Sequence, residues 1–184
     1  MNGSNRRRRS QSGASSRRKT AAPRRTSHSA SGNGEFHFII PSASVTRIRD
    51  QKERETAYFG EGRTVQKEIL DAIEDAGFDP DSVFAVKLAL EEALINAIKH
   101  GNKFDPKKRV HVDALINQRE AKITIEDEGP GFNRATVPDP TAEENLTKCS
   151  GRGLLLMETY MTSVEYSNKG RKVHMVKRRE PVKV

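Results

Sequence analysis

Three short clusters in this chain combine residue types and spacings that can do chemistry. The first is Glu92 and Asn96. Four positions apart on a helix, a carboxylate and an amide lie on one face, one turn from each other. Such a carboxylate can take up a proton, and an amide carbonyl is a hard oxygen donor suited to a divalent cation. The second is Asp127-Glu128-Gly129-Pro130-Gly131. Two glycines flanking a proline make a turn whose backbone a ligand can approach closely, and a carboxylate at its start can accept a hydrogen bond. The third is Gly151-Arg152-Gly153-Leu154, ahead of an apolar run. Glycines at a helix start leave backbone N–H groups open to an anion such as a phosphate chain. Each cluster also has a plain structural reading: a buried polar network, an ordinary acidic turn, a helix start made for packing. No Gly-Lys-Ser/Thr sequence occurs, which excludes a Walker-type phosphate loop.

The elements that must carry these residues follow from periodicity. Residues 81–100 read as a long helix stopped by Gly101-Asn102, with Asp79-Pro80-Asp81-Ser82 as its start. One stripe holds Val83, Val86, Leu90, Leu94 and Ala97. The opposite side groups Ala85, Leu88, Ala89, Glu92, Ile95, Asn96 and Lys99, while Glu91 falls beside Lys87. A helix apolar around most of its circumference is expected to be buried. A carboxylate buried there without a partner would cost several kcal/mol, so something polar is expected to meet Glu92 and Asn96.

Phe36, Phe38 and Ile40 alternate with Glu35, His37 and Ile39 and predict a strand ended by Pro41. Residues 42–61 are charged and ambiguous, whereas Val65, Ile69, Ala72, Ile73 and Ala76 recur at helical spacing up to Gly77. A hairpin is predicted from the alternation of Val110 to Ile116, a turn at Gln118-Arg119-Glu120, and Ala121, Ile123 and Ile125. A loop poor in apolar residues runs to Ser150. A short helix over 154–160 follows, then two strands around 163–167 and 172–177 flanking Asn168-Lys169-Gly170. The sum is an α+β, two-layer α/β sandwich: a mixed, mostly antiparallel sheet with helices packed on one face.

At 184 residues the chain holds one domain and a tail. The net charge of +8 is unevenly placed. Residues 1–34 carry nine of the 33 Lys and Arg and none of the 25 Asp and Glu, so the remainder is close to neutral. This stretch has no aromatic residue and is read as a disordered basic tail. Its Arg clusters suit electrostatic contact with nucleic acid or an acidic surface, or simply solvent. The domain is expected over 35–179, with a short C-terminal tail over 180–184. No apolar run approaches a membrane span and no signal peptide is evident, so no membrane partner is expected. A single cysteine, Cys149, makes neither an internal disulfide nor a thiolate cluster, and a cytoplasmic location fits.

Taken in order, Glu92 to Gly101 (EALINAIKHG), Asp127-x-Gly129-x-Gly131 and Gly151-Arg152-Gly153-Leu154 resemble the N, G1 and G2 boxes of the histidine-kinase-like ATPase superfamily. Within it, EALINAIKHG and GRGLLLM are most similar to the bacterial anti-sigma-factor serine/threonine kinases. The resemblance implies ATP and Mg²⁺ as cofactors. It makes Asn96 the metal ligand, Glu92 the catalytic base toward an attacking hydroxyl, and Asp127 the acceptor of the adenine amino group. Gly129 and Gly131 would let the base lie against backbone. Gly151, Arg152 and Gly153, with Leu154 behind them, would meet the phosphates under a lid of residues 133–150. Lys99 and His100 are candidates for reaching the nucleotide, His100 having also the plain reading of a helix cap. Thr147 and Ser150 are lid hydroxyls, and Cys149 reads as a passive thiol.

The implied function is an ATP-dependent protein serine/threonine kinase that phosphorylates an anti-anti-sigma-type partner and sequesters a sigma factor. Its relatives often form homodimers through the N-terminal strand region. The alternative is a nucleotide-dependent protein-binding switch without phosphotransfer. A two-component histidine kinase fits less well, since no helical hairpin presents a phosphoacceptor and His28 and His37 lie in the tail and a strand.

Overall fold

Alternation at the start of the fold produces strand β1, Gly34–Ile40, in which Phe36, Phe38 and Ile40 are buried and Glu35, His37 and Ile39 face outward. The computed structural model describes residues 34–41, 44–133 and 152–179. After a 3₁₀ turn at Val45–Arg47 comes helix α1, Gln51–Asp75. The periodic stripe Tyr58, Val65, Ile69 and Ile73 is fully buried. The helix starts well before that stripe because the Asp50 carboxylate accepts the Glu53 N–H at 2.7 Å, capping a charged first turn. It ends on Gly77 in the left-handed region, where the Phe78 N–H reaches back to the Ile73 carbonyl.

Helix α2, Pro80–Ile95, begins with the Asp79 carboxylate accepting from both the Ser82 N–H and the Ser82 hydroxyl. These two bonds, the hydroxyl's being the stronger influence, hold the Asp79 carboxyl below the usual carboxylate range. Val86, Ala89, Leu90, Ala93 and Leu94 are buried, and α2 packs against both α1 and α3, Gly153–Tyr160. The α-helix does not run on to His100. From Asn96 to Gly101 the turn is π-helical, with the Asn102 N–H bonding to Ala97 O at 2.8 Å, and Lys103 and Phe104 follow in left-handed conformations. Such wide single turns are frequent where helices carry functional groups.

The helices cover one face of a five-stranded sheet in the order β1-β2-β3-β5-β4, with β2 at Val110–Ile116, β3 at Glu120–Asp127, β4 at Ser163–Ser167 and β5 at Lys172–Arg178. All four pairings among the described strands are antiparallel. Inward residues such as Val112, Ile123, Ile125 and Met175 complete the core. Each such side chain contributes about 1.5–3 kcal/mol through burial. Among the described residues no layer covers the other face, where His37 pairs with Asp113 and Thr124 with His174. No described helix is long and apolar enough to cross a membrane.

Candidate functional site

Strand β3 delivers Asp127 to the foot of the α2 extension. The residue is 9% exposed, its backbone N–H bonds to Arg171 O on β5's approach, and its carboxylate accepts the Gly129 N–H at 2.7 Å. Burial pushes this carboxyl up from its ordinary value; the Gly129 N–H and then the Arg171 and Lys108 charges offset part of that effect. A carboxylate desolvated in this way and still open to a further donor is a strong hydrogen-bond acceptor.

The walls around Asp127 are backbone. A methyl at Gly101 would stand 2.5 Å from the Asp127 carboxyl carbon, and one at Gly129 would collide with the Gly101 carbonyl. Helix end and turn therefore meet without side chains between them, and only glycine fits at either place. Gly131, at φ 80°, takes a conformation that favours glycine and packs on the Lys169 carbonyl, which also accepts the Phe132 N–H at 3.0 Å. The turn Asn168–Gly170, all three residues left-handed, grips this loop from outside.

Glu92 and Asn96 lie one turn apart, each half-buried, while Glu91 is exposed. The expected burial of Glu92 is thus partial, and a carboxylate that keeps contact with water does not need a permanent partner. Among the described residues neither side chain is held in a hydrogen bond or ion pair. A methyl at Gly153 would run into Glu92 Oε2, so the first turn of α3 abuts this carboxylate. The opening N–H groups of α3 have no intrahelical acceptor there.

Gly101, against Asp127, and Glu92, against Gly153, are nine residues apart along α2 and its π turn, so the two features stand at separate points of one helical rod. An elongated ligand with an acceptor-seeking group at one end and an anion at the other matches that layout. Arg152 is exposed and Leu154 partly buried beside Gly153. Lys99 and His100 are exposed on the π turn, and no described contact ties either to Glu92 or Asp127. Gly151, Thr147, Cys149, Ser150 and residues 134–150 of the expected lid lie outside the described residues, as do residues 1–33 and 180–184. A separate concavity of about 600 Å³, lined by Pro130, Phe132, Tyr166 and Lys169 among others, contains none of Glu92, Asn96 or Asp127.

Two participants were not visible as such in the sequence. Asn102, read only as a helix stop, is 1% exposed and donates to Arg109 O while accepting from Glu128 N–H. Glu128, the unspecified middle residue of the turn, accepts the Arg109 N–H at 2.8 Å. A polar residue directly after a helix-ending glycine was the one available signal.

The family model for the histidine kinase-like ATPase domain matches residues 60–177. The chain belongs to the histidine kinase-like ATPase family. All three clusters fall inside the matched stretch, which opens within α1 and omits β1. Among curated family relatives, the chain is 40% identical over 111 residues to an anti-sigma F factor of Clostridium perfringens, covering 56% of this chain and 79% of that protein. It is 34% identical over 103 residues to the anti-sigma F factor of Oceanobacillus iheyensis, covering 53% and 70%. Against the serine-protein kinase RsbW of Listeria monocytogenes it is 29% identical over 109 residues, covering 55% and 69%.

Proposed function

We propose that this protein is an ATP-dependent serine/threonine kinase of the anti-sigma type. Its substrate is a small anti-anti-sigma-like protein, and a sigma factor is the partner it sequesters. The carrying observation is that one helix spans two features: a glycine-walled buried acceptor, Asp127 at the end of β3, and the Glu92 carboxylate, unengaged among the described residues, against the start of α3. Asp127 accepts the adenine amino group, and Gly129 and Gly131 leave room for the base. The names of the anti-sigma F factor and serine-protein kinase relatives supply the reaction class and the partner class.

In the transfer, the partner's hydroxyl oxygen bonds to the γ-phosphorus, the bond from that phosphorus to the β,γ-bridging oxygen breaks, and ADP leaves with the electron pair. Glu92 takes the hydroxyl proton. Asn96 offers an amide oxygen, a hard donor that would suit Mg²⁺. When bound, Mg²⁺ supplies charge neutralisation for the phosphates.

The Asp127 end is complete without Glu92, which favours, as second reading, a nucleotide-dependent protein-binding switch. Calorimetric titration with ATP and Mg²⁺ tests the site. The wild type should bind saturably, Asp127→Asn should lose binding, and Asn96→Ala should bind without responding to the metal. A wild type that binds no nucleotide refutes the proposal. Transfer of labelled phosphate to the partner, abolished in Glu92→Ala, separates kinase from switch.

A further inference from the structure

Asn102, Arg109 and Glu128 close a ring. The Asn102 Nδ2 donates to Arg109 O at 2.8 Å, the Arg109 N–H donates to Glu128 Oε2 at 2.8 Å, and the Glu128 N–H donates to Asn102 Oδ1 at 2.9 Å. Three chain segments meet in it: the π turn ending α2, the approach to β2, and the turn after β3. Asn102 is 1% exposed, and its backbone is also used, the N–H by Ala97 O and the carbonyl by the Asp105 N–H. A buried amide bonded through both its nitrogen and its oxygen in this way rigidifies the segments it joins.

The ring has a position that concerns ligand recognition. Glu128 sits between Asp127 and Gly129, so the bond to its N–H fixes the peptide plane that aims the Asp127 carboxylate. Asn102 directly follows Gly101, whose carbonyl lies against Gly129 and whose Cα faces Asp127. The wide π turn displaces the helix end enough to bring Gly101 there, and the left-handed Lys103 and Phe104 then carry the chain away. Phe104, edge-on to Tyr58 and Phe59, anchors that exit to α1.

We infer that Asn102 is a positioning residue for base recognition: through the ring with Glu128 it sets the Asp127 acceptor and the glycine wall against which a nucleobase is read. This rests on the reading of Asp127 as the adenine acceptor. It makes the strength of discrimination between adenine, which offers an exocyclic amino donor to Asp127, and guanine, which presents a carbonyl at that place, a property of Asn102.

The test is calorimetric binding of ATP and of GTP, each with Mg²⁺, to the full chain and its variants, with circular dichroism checking that each is folded at the assay temperature. Asn102→Ala strands the Glu128 N–H and the Arg109 carbonyl, so ATP affinity should fall about tenfold. GTP affinity should move less, narrowing the ATP:GTP ratio. A loss of mere stability would lower the unfolding temperature and leave that ratio unchanged. Glu128→Gln keeps an acceptor for the Arg109 N–H and should stay close to the wild type, whereas Glu128→Ala should weaken ATP several-fold. Wild-type affinity and an unchanged ratio in Asn102→Ala, with Asp127→Asn already inactive in binding, overturns the inference alone. A wild type that binds neither nucleotide overturns the Asp127 reading as well. If Asn102→Ala fails to fold, the Glu128 pair decides, and equal ATP affinity in Gln and Ala variants refutes the ring.

Discussion

The two ends of the candidate site, strung along the last turns of α2, are built on opposite plans. At the Asp127 end every wall is backbone in close contact, the acceptor is desolvated, and a closed ring of hydrogen bonds stands behind it. At the other end Glu92 and Asn96 are half-exposed, and neither side chain is engaged among the described residues. A recognition site profits from rigidity fixed before the ligand arrives, because less order has to be created on binding. A group that must accept a proton from a docking partner needs access instead. On the proposed reading, one end of the site serves selection and the other reaction.

The largest expected effect tests that division directly. Glu92→Gln should lower phosphotransfer about 10²–10⁴-fold, the range of a general base, while ATP affinity measured by calorimetry stays within a few-fold of wild type. Comparable losses in both would show that the two ends are not separable. Next comes Gly129→Ala, which forces a methyl into the Gly101 carbonyl. ATP affinity should drop about 10- to 100-fold, in line with overpacking of 1–3 kcal/mol, and the same change at Gly60, where a methyl meets nothing within 4 Å, should be silent.

Two aspartates sharpen the contrast through pH. Asp127 has its folded pKa raised by burial, so its ionisation opposes folding, and that penalty fades as pH falls through the raised value toward the ordinary one. Asp127→Asn should therefore unfold a few degrees above wild type at neutral pH despite losing nucleotide, with the gap closing as acid is added. Asp79 behaves oppositely. Its folded pKa is lowered, so its contribution is present above the ordinary carboxylate value and lost as pH falls through the depressed one. Asp79→Ala should cost about 1 kcal/mol in thermal unfolding, the usual worth of such a cap, with nucleotide affinity unchanged. The smallest effect belongs to His100→Ala, since an exposed imidazole with no described tie to Asp127 should alter ATP affinity less than about twofold.

Much of this architecture is legible in the sequence where side-chain period and burial agree. The alternation of Phe36, Phe38 and Ile40 and the spacing of Val65, Ile69 and Ile73 each correspond to an observed element. Helical geometry alone separates Glu92 from Glu91, and the structure leaves Glu91 exposed. The first turns of α1 escape such reading because a charged segment has no apolar stripe and depends on the Asp50 cap. The π turn escapes because widening by one residue changes hydrogen-bond partners without changing composition. Asn102 and Glu128 escape for a related reason: a polar residue in a loop reads as solvated, and only three-dimensional closure shows what it holds.

The first strand has a consequence for how the chain is made. β1 pairs with β2, and His37 meets Asp113 across 76 positions of sequence. At ribosomal speeds of roughly 5–20 residues per second, β2 emerges about 4–15 s after β1. For that interval Phe36, Phe38 and Ile40 travel without a sheet to join, whereas β2 and β3 close on each other through a three-residue turn. Nascent chains halted before residue 116 carry an apolar strand with no partner, the kind of segment that associates with its own copies. Among the described strands β1 is made first and waits longest for its partner, which ties the timing of translation to the chain's tendency to associate.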